Sequence, residues 1–207
     1  MKLIIFGSTG RTGSFLVRYA LEKGHQVTAF VRNPNKITIQ SPNLQIFTGD
    51  VLKLESIKAA MEGQNAVLSA IGSKEDFSLL SRGLNNITLA MEEQKVSRIV
   101  AIGGAGILQE DKNKLIRENI NYPMFLKNIS EEHFKVYQLL LKSMLNWTLV
   151  CPPMIPQGER TGNYRVKIDY QAQGQPQIFT GDLADFMLHE LIDCNFLKAR
   201  VGIANKS

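Results

Sequence analysis

The chain has 207 residues, 44% of them hydrophobic and 21% charged, with a formal net charge of +5. That length and balance describe a soluble globular protein long enough to bury a core, and no apolar run approaches the length of a membrane span. The 24 Lys and Arg residues are spread along the chain rather than gathered into a stripe. The positive balance therefore suits an anionic ligand and gives nucleic-acid binding little support.

The elements follow one rhythm. "KLIIF" (2–6) is a short apolar strand, reached without a basic lead or a small-residue cleavage site, so the sequence reads as a cytoplasmic chain without a signal peptide. "FLVRYALEKG" is an amphipathic helix closed by Gly24, and "QVTAFVR" a β-branched strand. "LQIFTGDV" is a third strand, "LESIKAAMEG" a helix, "NAVLSAIG" a strand, "LLSRGLNNITLAMEEQ" a longer helix and "SRIVAIGG" a fifth strand. Strands alternating with helices predict an α/β fold with a doubly wound parallel sheet, a Rossmann fold of three α/β/α layers.

The second half is less regular. Residues 105–129 read as a loop with a short helix. "SEEHFKVYQLLLKSM" is a helix with Ser130 as its N-cap, and "NWTLVCPP" is the sixth strand, stopped by two prolines. "GNYRVKIDY" and "QPQIF" pattern as a small hairpin, "TGDLADFMLHELIDC" as a C-terminal helix with Asp182 near its start, and "ARVGIANK" as a last edge strand. With no linker or low-complexity stretch, residues 1–207 are expected to form one domain, in which 151–207 wall the substrate side. Cys151 and Cys194 make no disulfide framework, and His25, His133 and His189 have no ligand spacing, so no metal is expected.

The first turn carries the strongest signal. "GSTGRTG" places Gly7, Gly10 and Gly13 between the first strand and the first helix. There the first glycine permits a tight turn, the second lets a pyrophosphate approach the backbone, and the third lets helix and strand pack closely. The helix N-terminus adds free N–H groups and a favourable dipole. The nucleotide-hydrolysing loop GxxxxGK[ST] does not fit, because Arg11 replaces its lysine.

The end of the second strand chooses the dinucleotide. An acidic residue about 20 positions after the glycines would bind the ribose hydroxyls of NAD. Here Arg32 stands at that strand's end, with Lys36 close behind. A carboxylate would repel a 2′-phosphate, whereas an arginine pairs with it bidentately, so the cofactor is expected to be NADP(H), with Arg11 also within reach of the phosphate. Asp50 and Val51 in "TGDV" are placed for the adenine, and Ile71, Gly72 and Lys74 in "SAIGSK" for the riboses and phosphates. Asp50 is equally suited to capping the helix that follows.

Four stretches resemble the biliverdin reductase B / NADPH-dependent flavin reductase family: "IIFGSTGRTG", "VTAFVRNPNKI", "GDVLKLESIKAAMEGQNAVLSAIG" and "LNWTLVCPPMIPQGERTGNYRV". This is a branch of the atypical short-chain dehydrogenases near the NmrA-like proteins. The resemblance implies a single Rossmann domain, monomeric, that uses NADPH to reduce flavins such as FMN or FAD and, in some members, linear tetrapyrroles. It places nucleotide contacts at Thr9, Gly10, Arg11, Thr12, Gly13, Arg32, Asp50, Val51, Ile71, Gly72 and Lys74. Gly103, Gly104, Gly106, Pro153 and Met154 then fall at the nicotinamide and acceptor end.

The departures lie at that end. Gly104 stands where the family can carry a serine, Gly106 where it can carry a phenylalanine, and Met154 where it can carry a histidine. Their loss removes groups proposed to bind or protonate a tetrapyrrole. Flavin reduction needs proximity and shape more than a dedicated acid, and Gly103 and Gly104 are expected to open a slot for a flat ring beside Met154. The Tyr-x-x-x-Lys relay of typical short-chain dehydrogenases is missing from the helix after the fifth strand, where Leu141 follows Tyr137 by four. His133, which aligns with a family histidine, and Tyr137 remain as polar candidates. The expectation is an NADPH-dependent oxidoreductase acting on a small flat aromatic acceptor. The alternatives are an NADP(H)-binding redox sensor acting through a protein partner, and a quinone reductase.

Overall fold

Each apolar run lies in a strand of one sheet, and each amphipathic stretch packs a helix against it. A computed structural model describes residues 1–72 and 75–207. In chain order the elements begin with β1 Lys2–Phe6, α1 Arg11–Glu22, β2 Gln26–Val31, β3 Leu44–Thr48 and α2 Leu54–Met61. There follow β4 Ala66–Ser69, α3 Ser78–Glu93, β5 Arg98–Ile102, β6 Gln109–Asp111, β7 Lys114–Leu115 and α4 Lys127–Lys142. The chain ends with β8 Asn146–Cys151, β9 Tyr164–Ile168, α5 Thr180–Asp193 and β10 Ala199–Asn205.

The main sheet has the order β3-β2-β1-β4-β5-β8-β10-β9. Every pairing is parallel except β10 with β9. Alternation along β1 shows how the layers form. Leu3 and Ile5 face α1 and α5, among Leu16, Ala20, Leu183 and Met187. Ile4 and Phe6 face α2, α3 and α4, among Ile57, Met61, Ile87, Met91 and Leu140. A strand buried on both faces reads as a continuous apolar run, as "KLIIF" does. The strand order reverses between β1 and β4, which is where doubly wound sheets bind ligands at their carboxyl edge.

The second half corrects four expectations. β10 is not an edge strand: it lies between β8 and β9, and β9 forms the edge. The hairpin of 162–170 with 175–179 is not made. β9 pairs with β10, from Val201 with Ile168 to Asn205 with Tyr164, while Gln177 bridges Met154. Asp169 at φ +59° and Gly174 at φ +148° turn the chain away from a tight hairpin, and Pro176 has no N–H to give a ladder. Residues 109–115 form the small ribbon of β6 with β7 rather than a plain loop. Finally, α4 starts at Lys127, fed by a 3-10 turn over Met124–Leu126 that follows Pro123, so Ser130 sits inside the first turn and caps nothing.

The stretch after β8 is fastened firmly. Asp182, fully buried in the first turn of α5, accepts from the Thr161 and Gly162 amides at 2.7 and 2.9 Å. Its other oxygen accepts from Thr161 Oγ1 and Asn205 Nδ2. The Arg18–Glu159 pair and the stacking of Arg160 over the Tyr19 ring tie the same stretch to α1.

Candidate cofactor and acceptor site

The glycine turn is a cradle that side chains would fill. Gly7 has φ +78°, a conformation L side chains rarely adopt, and a Cβ there would run into the Ala70 carbonyl. A Cβ on Gly13, within the first turn of α1, would run into the Gly7 carbonyl. The turn closes with Gly10 N donating to Gly7 O at 2.9 Å, while Ser8 Oγ donates to Ile5 O. Gly10 is the N-cap of α1, no side chain caps the helix, and its first turn carries no acidic residue. The N-terminal N–H groups of α1 are therefore left for an anion, backed by the helix dipole. Thr9, Gly10 and Arg11 are exposed around this point, while Thr12 and Gly13 are buried behind it. These residues fit a dinucleotide pyrophosphate.

Around the cradle, Arg32 and Lys36 are exposed just past β2, and their side chains make no hydrogen bond or ion pair among the described residues. Asn33 fixes the bend between them by accepting from Asn35 N at 3.0 Å. Two unpaired cations at this strand end make a positive lip. Arg11 does not join them: its Nη1 donates to Ile155 O at 2.8 Å, latching the stretch after β8 to the glycine turn. Asp50 accepts from Leu52 N at 2.9 Å in a local turn, and Lys53 takes the N-cap position of α2 instead. The Val51 carbonyl accepts from Asn86 Nδ2 at 3.0 Å, and its side chain packs on Gly83. Ile71 is half-buried and Gly72 exposed with open space beside it, whereas Lys74 lies outside the described residues.

The other end is built differently. Gly103 donates to Val150 O at 2.7 Å, and the room left by its missing side chain is taken by Leu149 and Cys151. A Cβ on Gly104 would lie 2.7 Å from His133 Cδ2, and one on Gly106 would collide with the Tyr122 hydroxyl and Ser130 Oγ. The slot expected beside these glycines is thus taken by side chains from α4 and the loop before it. Pro153 is half-buried and Met154 is 64% exposed at the rim. Tyr137 is drawn into packing, edge-on to Trp147 and under the Arg200 guanidinium.

The chemistry of this end follows from burial. Desolvation pushes the His133 imidazole down to about 4, against a weaker upward pull from Glu132, so the ring is neutral near pH 7. Its Nδ1 is buried without a partner among the described residues. Burial pushes the Cys151 thiol up to about 12, which leaves it an inert packing group. Sequence reasoning missed Tyr122 and the true place of Ser130. The available signal was Gly106: a glycine where relatives can carry a large ring means that something else fills the space.

A parallel sheet with a glycine cradle at its switch point defines an NAD(P)-binding Rossmann protein. The profile of the NAD(P)H-binding family matches residues 7–193, and the chain belongs to that family. It is 31% identical over 201 residues to the uncharacterized protein YwnB of Bacillus subtilis, covering 92% of each chain. Two solved structures superpose over nearly all of both chains. One is a Burkholderia pseudomallei protein provisionally named as exported, with 31% identity, a TM-score of 0.88 and 99% of each chain covered. The other is a Streptococcus pneumoniae protein provisionally named an NADH-flavin reductase, with 30% identity, a TM-score of 0.86 and 100% of each chain covered.

Proposed function

We propose that this protein is an NADPH-dependent reductase that passes hydride to a flavin or another flat aromatic acceptor. The observation that carries the cofactor choice is the pair of exposed cations Arg32 and Lys36 at the end of β2, whose side chains are unpaired among the described residues, with no carboxylate in the NAD-selecting position. The acceptor class is supported by the flavin-reductase name of the pneumococcal relative.

NADPH, when bound, supplies a hydride from its nicotinamide ring. Gly7, Gly10 and Gly13 let the α1 amides meet the pyrophosphate. Arg32, with Lys36, holds the 2′-phosphate, and Asp50, Val51, Ile71 and Gly72 border the adenosine. Gly103 and Gly104 floor the nicotinamide end, with neutral His133 beside them as a hydrogen-bonding group rather than a charged acid. Pro153 and Met154 form the outer wall.

The test is NADPH oxidation by the purified protein with and without FMN, set against NADH. FMN-dependent turnover that favours NADPH is expected. Tight NADPH binding with no turnover of FMN or of a simple quinone would favour the second reading, a redox sensor working through a protein partner. The occupation of the Gly104 and Gly106 spaces by His133 and Tyr122 is the observation on the sensor's side, because it narrows the room for an acceptor.

A further inference from the structure

Gly106 is buried in a 3-10 turn just beyond β5, and its missing side chain makes room for two hydroxyls from elsewhere in the chain. One is the Tyr122 hydroxyl, from the loop before α4. The other is Ser130 Oγ, from the first turn of α4. Ser130 is only 3% exposed, and its Oγ has no hydrogen-bond partner among the described residues. A buried hydroxyl left unpaired is costly, so this one calls for an explanation. Tyr122 is half-buried, and its hydroxyl likewise makes no hydrogen bond among the described residues.

The loop that presents Tyr122 is held in place. Tyr122 N donates to Asn119 O at 3.0 Å, Asn119 Oδ1 accepts from Asn121 N at 2.8 Å, and the Asn119 amide donates to Glu110. The same loop carries Ile120, Met124 and Phe125, which are 94%, 75% and 80% exposed. Single exposed apolar side chains are ordinary, but three within six residues of the loop that carries Tyr122 have the make-up of a binding surface.

We propose that Tyr122 is the acceptor-binding hydroxyl of this protein. It donates a hydrogen bond to the carbonyl edge of a planar aromatic compound, such as a flavin imide or a quinone, while the loop 120–125 offers its apolar side chains to the ring. Ser130 is a positioning residue that packs beside the Tyr122 hydroxyl across the space left by Gly106. The proposal rests on the reductase reading and narrows it to acceptors with a conjugated carbonyl. When such a compound takes up a hydride, with its two electrons, negative charge gathers on that edge, and a fixed donor stabilises it there. The remaining proton comes from water, and no bond to Tyr122 forms or breaks.

The test is a fluorescence titration of FMN into NADP⁺-saturated protein, with menadione as a second probe. Tyr122→Phe keeps the ring and removes the donor. It is expected to weaken FMN about tenfold and to leave NADP⁺ affinity unchanged, which also shows that the variant is folded. Ser130→Ala should weaken FMN in the wild-type background and add nothing in a Tyr122→Phe background. Wild-type affinity for both probes in Tyr122→Phe overturns the proposal alone, and additive effects of the two substitutions overturn the positioning role of Ser130. A wild-type protein that neither binds nor reduces FMN or menadione overturns the reductase reading, and the proposal with it.

Discussion

The two ends of the carboxyl edge are assembled from different materials. At the proposed pyrophosphate end, seven consecutive residues, Gly7 to Gly13, run from the end of β1 into the first turn of α1 and supply the turn, the close approach and the helix N-terminus. The proposed acceptor end draws on Gly103–Gly106 after β5, Tyr122 in a loop, Ser130 and His133 on α4, and Met154 after β8. The first is a backbone device, fixed by where a Cβ cannot go. The second is a side-chain device, in which glycines matter because of what other segments put into their space. The backbone end should therefore fail sharply on small substitutions, and the side-chain end should fail by degrees.

The largest effect is expected at Gly13. Gly13→Ala places a methyl group inside the Gly7 carbonyl, and backbone on both sides leaves it no easy escape. A loss of about 3 kcal/mol in urea unfolding, with NADP⁺ no longer raising the melting temperature, is the expected outcome. A variant of wild-type stability that still binds would show that the turn is not the constraint described.

Arg32→Ala comes next. Losing one charge-assisted pair should cost about 1.5–3 kcal/mol of NADP⁺ affinity, tenfold to a hundredfold, while NAD⁺ is barely changed. Calorimetric titration of both dinucleotides reads this directly, and equal losses for the two would remove Arg32 from the 2′-phosphate.

A pH experiment sharpens the other side of the comparison. Burial lowers His133 in the folded protein to about 4 from the ordinary 6.5, so between these values the unfolded chain binds the extra proton. Its contribution to stability is complete above about pH 6.5 and is lost as pH falls toward about 4. Urea unfolding should show about 2 kcal/mol lost between about pH 7 and about pH 4.5, part of which disappears in His133→Gln. An unchanged pH slope in that variant would contradict the burial of the imidazole.

Gly104→Ala should have the smallest effect. Its Cβ meets the edge of a side chain, His133 Cδ2, rather than backbone. The ring can give way, at a cost of about 1 kcal/mol, with NADP⁺ affinity unchanged. A loss as large as that at Gly13 would erase the distinction between the two ends.

The same contrast explains what could be read in the sequence. The run from β1 to β5 follows from apolar runs and amphipathic stretches, because a strand buried on both faces and a helix with one apolar stripe are both local patterns. Gly7, Gly10 and Gly13 are legible for the same reason. The placing of β10 inside the sheet is not, because pairing with β9 is decided across a segment that turns at Asp169 and Gly174. Nor was the role of Ser130 legible. Its residue type signals a cap, but the 3-10 turn at Met124–Leu126 starts the helix three residues earlier and turns the hydroxyl toward Gly106. Arg11 looked free for a phosphate, yet it reaches Ile155, a contact 144 residues away in sequence. Tyr122 escaped notice because nothing local marks a tyrosine as the occupant of a distant glycine's space.

The most direct test of the account is the affinity of the wild-type protein for NADP⁺ against NAD⁺, measured by calorimetry in one buffer. A glycine cradle backed by the exposed Arg32 and Lys36 predicts tighter binding of NADP⁺ by at least about tenfold. Equal affinities, or a preference for NAD⁺, would contradict it.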